Sequence, residues 1–145
     1  MINTGLFSNN SNEWGTPDEL FNSLNEEFHF TLDPCATDQN AKCEYYYTKN
    51  ENGLLQSWKN ETVFCNPPYG KELKQWVKKC YEEHKKNGIT VVMLIPARTD
   101  TSYFHEYIYM QSEIRFIKGR LKFINKNGEI AGTAPFPSML VIYKK

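Results

Sequence analysis

Asn66-Pro67-Pro68-Tyr69 sets a side-chain amide, two imino acids and a phenol in succession, directly after the apolar run Thr62-Val63-Phe64-Cys65. Each proline fixes its backbone φ and removes an N–H donor, so the turn is stiff and rich in carbonyls that can accept. The Asn66 amide adds another acceptor, and Tyr69 adds a flat ring. A rigid pair of acceptors beside an aromatic plate suits a planar amine, which can give both N–H bonds while its ring is stacked. A stiff turn closing over a helix is the bland alternative.

Two other polar clusters fall in comparable places. Asp33 ends the strand-like "FHFTLDP", and Arg98 follows the continuous apolar run "ITVVMLIPA". Asp33, Asn66 and Arg98 would thus all stand at or just past the carboxyl ends of strands, the edge at which open α/β sheets bind ligands. Arg98 and Asp100 read equally as a nucleic-acid-facing pair or as a structural ion pair. The cysteines at 35, 43, 65 and 80 include no C-x-x-C pair and no close histidine, so neither a zinc site nor a disulfide framework is expected. They read as small reduced thiols, and His29, His84 and His105 as ordinary surface or half-buried residues.

The elements that must hold these groups follow from periodicity and punctuation. "TPDELFNSLNEEF" reads as a helix with Thr16 as its cap, Pro17 at its first position and Glu19 completing a capping box. Leu20, Phe21, Leu24 and Phe28 share one face. Residues 35–61 are irregular, with a short strand near Tyr45–Tyr47. A strand over 62–65 leads through the proline turn into a helix over 71–87. That helix carries Leu73, Trp76, Val77, Cys80, Tyr81 and His84 on one stripe, and Gly88 ends it. Ile89 to Ala97 predicts a strand buried on both faces. A short helix near 101–110 and strands near 113–117, 121–124 and 138–143 complete the chain. Residues 1–12, rich in Asn and Ser, read as disordered, and 13–145 as a single domain. The alternation predicts an α/β fold with a mostly parallel central sheet and an antiparallel C-terminal edge.

Composition narrows the class. With 145 residues, 40% of them hydrophobic, the chain can bury one real core. The longest apolar stretch is too short to span a bilayer, and the N-terminus lacks a signal peptide's apolar core, so a cytoplasmic protein is expected. Net charge is zero but unevenly spread. Residues 1–66 hold ten acids and three bases, whereas residues 67–145 hold seven acids and fourteen bases. Such asymmetry suggests one polyanion-facing side. Its densest piece is "IRFIKGRLKFINK", with Arg115, Lys118, Arg120, Lys122 and Lys126 and no acid. A solvated hairpin would account for the same composition.

NPPY resembles the catalytic motif of S-adenosylmethionine-dependent amino-methyltransferases. "WGTPDELFNSLNEEFHFTLDPCA", "NGLLQSW", "IPARTDTSYF" and "PFPSMLVIY" extend the likeness, so that nearly everything from Trp14 to Tyr143 is similar to the phage-type DNA adenine methyltransferases (Dam-like). The resemblance implies a compact Rossmann-like fold and methyl transfer to the N6 amine of adenine in DNA. It also implies S-adenosylmethionine as cofactor, no metal, and a phage or prophage gene acting in a bacterial cytoplasm. Asn66, Pro67, Pro68 and Tyr69 would hold the target base. Asp33, Pro34, Cys35 and Ala36 would border the methionine end of the cofactor, covered by Trp14, Thr16 and Pro17. Asn52 and Leu54 would meet its adenine. Arg98, Arg115, Lys118, Arg120 and Lys122 would face DNA.

This chain departs from the pattern in places. The first motif has no glycine, so close backbone approach relies on Ala36. Position 52 is Asn where Asp is usual, and Asp38 and Glu44 are both candidates for the cofactor ribose. NPPY alone also permits a protein glutamine or an RNA base as acceptor. A cofactor- or DNA-binding module without catalysis is the reading from another class. No separate target-recognition domain fits, so specificity would come from loops around Arg98 and Arg120 or from a second protomer in a homodimer.

Overall fold

The computed structural model describes residues 14–145, and the reading of residues 1–12 as disordered lies outside the described residues. The first helix, α1, spans Asp18–Phe28 and buries Phe21 and Leu24. Its start differs from expectation. Pro17 (φ −58°, ψ 137°) precedes the first turn and its carbonyl accepts from the Phe21 N–H at 3.1 Å, but no side chain caps the helix. Thr16 is no cap because Pro17 holds the cap position, and the Thr16 hydroxyl accepts from Asn66 Nδ2.

Among the described residues, six strands form one sheet in the order β2-β1-β3-β4-β8-β5. They are β1 (Leu32–Asp33), β2 (Tyr45–Tyr46), β3 (Val63–Cys65), β4 (Val91–Pro96), β5 (Glu113–Phe116) and β8 (Ser138–Tyr143). β2, β1, β3 and β4 run parallel, while β8 lies antiparallel to both β4 and β5. The antiparallel strands β8 and β5 lie together on one side of the sheet, as expected, with the C-terminal strand β8 one place in from the border. Burial accounts for the order. All six residues of β8 are buried, as a strand between two neighbours requires, whereas β5 leaves Phe116 65% exposed. β1 is shorter than the sequence suggests, because His29 turns left-handed (φ 57°) to end α1 and the parallel ladder starts only at Leu32.

The second helix, α2 (Leu73–Asn87), buries Leu73, Trp76, Val77 and Cys80 and ends at Gly88, whose φ of 63° favours glycine. Glu83 is also buried on it, which hydrophobic periodicity does not reveal. Its carboxylate accepts from the Trp58 backbone N–H (2.7 Å), Lys79 Nζ (2.9 Å) and Asn87 Nδ2 (2.9 Å), so the charge is paired. Trp58, fully buried, gives its indole N–H to the Gly53 carbonyl at 3.0 Å. These contacts pin the irregular segment before β3 against α2. The short helix expected near 101–110 is present as a π-helical stretch, Phe104–Ile108.

A separate hairpin pairs β6 (Lys122–Ile124) with β7 (Ile130–Thr133). β7 carries little sequence signal, because "IAGT" is short and interrupted by glycine. Two backbone hydrogen bonds, each 3.0 Å, tie Ile124 to Gly15, and a Cβ on Gly15 would lie 2.5 Å from the Ile124 carbonyl oxygen. No helix of the described residues is long and apolar enough to cross a membrane.

Candidate active site

β1, β3 and β4 are adjacent and parallel, so their carboxyl ends open on one edge. Asp33 is the last residue of β1, Asn66 follows β3 directly, and Arg98 lies two residues beyond β4. The three expected polar groups are brought to the same border of the sheet.

At Asn66 the side-chain amide is fully oriented. Its Nδ2 donates to the Trp14 carbonyl and to Thr16 Oγ1 at 2.9 Å, while Oδ1 lies 2.6 Å from the Tyr69 hydroxyl. A carbonyl can only accept, so the Trp14 contact settles which end of the amide is nitrogen. Oδ1, with two lone pairs, keeps one acceptor position. The Pro67 carbonyl accepts no hydrogen bond from any described residue. Two acceptors, Asn66 Oδ1 and the Pro67 carbonyl, thus stand just past the end of β3.

Tyr69 is not an open plate. Its ring is 7% exposed, with Phe123 and Phe136 edge-on at 6.1 and 5.7 Å. Trp14 packs edge-on against the same two phenylalanines, on which the cover of the phenol rests. Burial holds the Tyr69 hydroxyl well above its usual pKa, which keeps it a proton donor. Its single proton is shared between Asn66 Oδ1 and the Leu94 carbonyl at 3.0 Å.

Beside this turn lies a cleft of about 430 Å3. Its walls include Trp14, Thr16, Asp33, Pro34, Cys35, Ala36, Asn52, Leu54, Asn66 and Pro68, though not Pro17. Sequence reasoning missed the opposite wall, built from Glu72, Gln75 and Trp76 at the start of α2. Their signal was available: the first turn of a helix following a strand end faces that same edge. Neither Asp38 nor Glu44 lines the cleft. Asp38 accepts from the Tyr46 hydroxyl at 2.7 Å, and among the described residues the acids on the walls are Asp33 and Glu72.

Asp33 is 5% exposed, and burial raises its carboxyl to about pKa 6, against the pull of the Lys42 and Cys35 backbone N–H groups on its oxygens. A buried carboxylate with no cation bonded to it favours a cationic ligand nearby. Asn52 adopts φ 57° and turns its oxygen onto the Leu54 N–H at 3.1 Å, leaving Nδ2 as a donor. Gly53 is obligatory for packing. A Cβ there would come within 2.1 Å of the Pro34 carbonyl oxygen, so the two loops bounding the cleft touch backbone to backbone.

The expected cations divide into two groups. Lys118, Arg120, Lys122 and Lys126 are exposed in and around the hairpin and form no salt bridge among the described residues. Arg98 is exposed as well. It lies over the Phe136 ring at 5.7 Å and makes no ion pair with Asp100. Arg115 is different. Its guanidinium is bonded to both carboxylate oxygens of Glu27 (2.7 and 2.8 Å) and to Glu113 (2.6 Å), so it is a structural tie between β5 and α1. The four cysteines form no disulfide, and burial raises the Cys43 thiol to about 12, far from a reactive thiolate. Among the described residues no three His, Cys, Asp or Glu gather as a metal site.

A family model described as DNA N-6-adenine-methyltransferase (Dam) matches residues 3–145. A protein named DNA N-6-adenine-methyltransferase from Haemophilus phage HP1 (strain HP1c1) is 31% identical over 135 residues, covering 90% of this chain and 78% of the phage protein. One of the same name from Escherichia phage T1 is 34% identical over 110 residues, covering 74% of this chain and 45% of that protein.

Proposed function

The chain belongs to the DNA N-6-adenine-methyltransferase (Dam) family, and from that premise we infer that it transfers a methyl group from S-adenosylmethionine to the exocyclic N6 amine of adenine in DNA. The observation that carries the site assignment is the Asn66 amide, held by its nitrogen so that Oδ1 accepts beside the unbonded Pro67 carbonyl. Two such acceptors take the two N–H bonds of a planar amine and direct its lone pair out of the ring plane. Alignment of this kind is the main task when the methyl donor is already activated. Tyr69 would supply the face against which the base, flipped out of the duplex, is held once the Phe123 and Phe136 rings packed on it have parted. We further propose a Rossmann-like arrangement for the fold, and a host cytoplasm as its setting. Incubation with methyl-labelled cofactor and adenine-containing DNA should label the N6 position. RNA and protein extract serve as the competing acceptors, and label in either instead of DNA would overturn the reading.

The cofactor fits the cleft by volume and charge. Pockets for ligands of this size run from roughly 300 to 1,000 Å3. Asp33, Pro34, Cys35 and Ala36 would take the methionine end, with Trp14 and Thr16 above it, and Asn52 and Leu54 the adenine. S-adenosylmethionine brings a methyl on a cationic sulfonium, and Asp33 is the buried carboxylate whose ionisation that charge favours. The sign is definite. A carboxyl raised to about 6 destabilises the fold once ionised, and this cost is absent below its ordinary value of 3.8. Cofactor binding runs the other way, because it needs the ionised form. Calorimetry should show affinity falling as pH drops through about 6, by roughly tenfold per pH unit below it. Asp33→Ala should bind weakly at every pH, with that dependence gone.

DNA would be gripped by the hairpin cations and Arg98. Each phosphate neutralised contributes a slope of about −0.9 in log affinity against log salt. The double reversal Lys118→Glu and Lys122→Glu should flatten the slope by about 2, and Arg115→Ala should leave it unchanged while lowering stability. A slope insensitive to the double reversal would move the footprint to the α2 lysines Lys74, Lys78 and Lys85.

A further inference from the structure

Thr16 belongs to the segment that covers the cofactor cleft, yet the hydrogen bond found on its hydroxyl comes from Asn66 Nδ2, at 2.9 Å. It is 3% exposed and has given up the helix-capping role that its place before Pro17 would suit. The Trp14 carbonyl takes the other Nδ2 proton. The Asn66 oxygen can present itself to an amine only while the nitrogen is held on the opposite side. The two groups that hold it both come from residues 14–16, not from the NPPY turn.

We propose that Thr16 is a positioning residue for methyl transfer: its hydroxyl, with the Trp14 carbonyl, fixes the rotation of the Asn66 amide and links the cofactor-covering segment to the target-base acceptor. The inference rests on the reading of Asn66 given above. Without the Thr16 acceptor, one Nδ2 proton is left unsatisfied in a half-buried site, and the amide can turn to find another partner. The base amine then meets the wrong end of the amide for part of the time. Ground-state binding of cofactor makes no use of this orientation, whereas the transfer step does.

The test compares Thr16→Val, which keeps the shape and removes the hydroxyl, with Thr16→Ser, which keeps the hydroxyl. Single-turnover transfer at saturating DNA and cofactor should fall about tenfold in Thr16→Val, in line with loss of one hydrogen bond, and recover in Thr16→Ser. Melting temperature should stay close to wild type in both. In an Asn66→Ala background, Thr16→Val should produce no further loss, because the group it positions is gone. An unchanged saturating rate in Thr16→Val, a loss seen only in cofactor affinity, or full additivity with Asn66→Ala would each overturn the proposal. Hydrogen exchange of the Asn66 side-chain amide reads positioning without turnover. It should be protected in wild type and Thr16→Ser and fast in Thr16→Val, and equal protection in all three would also overturn it. A wild-type protein that keeps this protection but methylates no DNA would overturn the assigned reaction instead.

Discussion

Asn66→Ala is expected to lower the single-turnover rate of methyl transfer by about 10²–10³-fold, the range found when one preorganised hydrogen-bonding group is removed from a reacting centre. Cofactor affinity should change little. Asn66 is one of many residues lining the cleft, and in the proposed reading its oxygen serves the base amine rather than the cofactor. An interaction used in the transition state and not in ground-state binding lowers the rate and leaves dissociation constants alone. The fold should survive, because Asn66 is half-buried and the prolines that follow still set the turn. Rapid-quench measurement with excess enzyme reads the step directly. A variant that turns over normally would reduce the proline turn to a structural device.

Tyr69 should separate into two functions when cut in two places. Tyr69→Phe removes the hydroxyl shared by Asn66 and Leu94 but keeps the ring, and should retain most of the transfer rate. Tyr69→Ala removes the ring as well. Loss of stacking is worth about 1–3 kcal/mol per base, which corresponds to a roughly 5- to 150-fold weaker apparent affinity for DNA. A buried aromatic truncated to alanine also costs about 3–5 kcal/mol of stability, so the comparison belongs at a temperature where both variants are folded. Fluorescence of 2-aminopurine at the target position reports the extruded base. Equal inactivity of the two variants would assign the role to the hydroxyl and refute stacking.

Much of the site was legible because it is written in local chemistry. Residues that remove donors, such as Pro67 and Pro68, or that end apolar runs, such as Asp33, declare themselves without tertiary information. Their shared edge followed from the alternation of strands and helices. What stayed hidden depends on contacts distant in sequence. Thr16 looks like a helix cap from its neighbours and becomes a partner of Asn66 only because Trp14 to Thr16 cross the end of β3. Arg115 looks like the other hairpin cations, but Glu27, far earlier in the chain, takes up its charge. The place of β8 inside the sheet is a pairing choice between strands, and apolar sequence permits either position. Glu83 reads as a surface acid on a helix until Trp58 and Lys79 arrive to satisfy it.

The Phe123 and Phe136 rings packed on Tyr69, with Trp14 against both, bear on which molecules can serve as substrate. An extruded adenine and these rings compete for one volume, so stacking on Tyr69 requires the hairpin side to yield, including the Gly15–Ile124 pair of hydrogen bonds. Long DNA offers phosphates to Lys122 on that hairpin and to Lys118 and Arg120 just before it, and can offset the work of parting it. Free adenosine carries the identical amine but no phosphate chain. The enzyme should therefore discriminate by polymer length before it discriminates by sequence, and methylate short oligonucleotides progressively less well as they shrink below the reach of the hairpin.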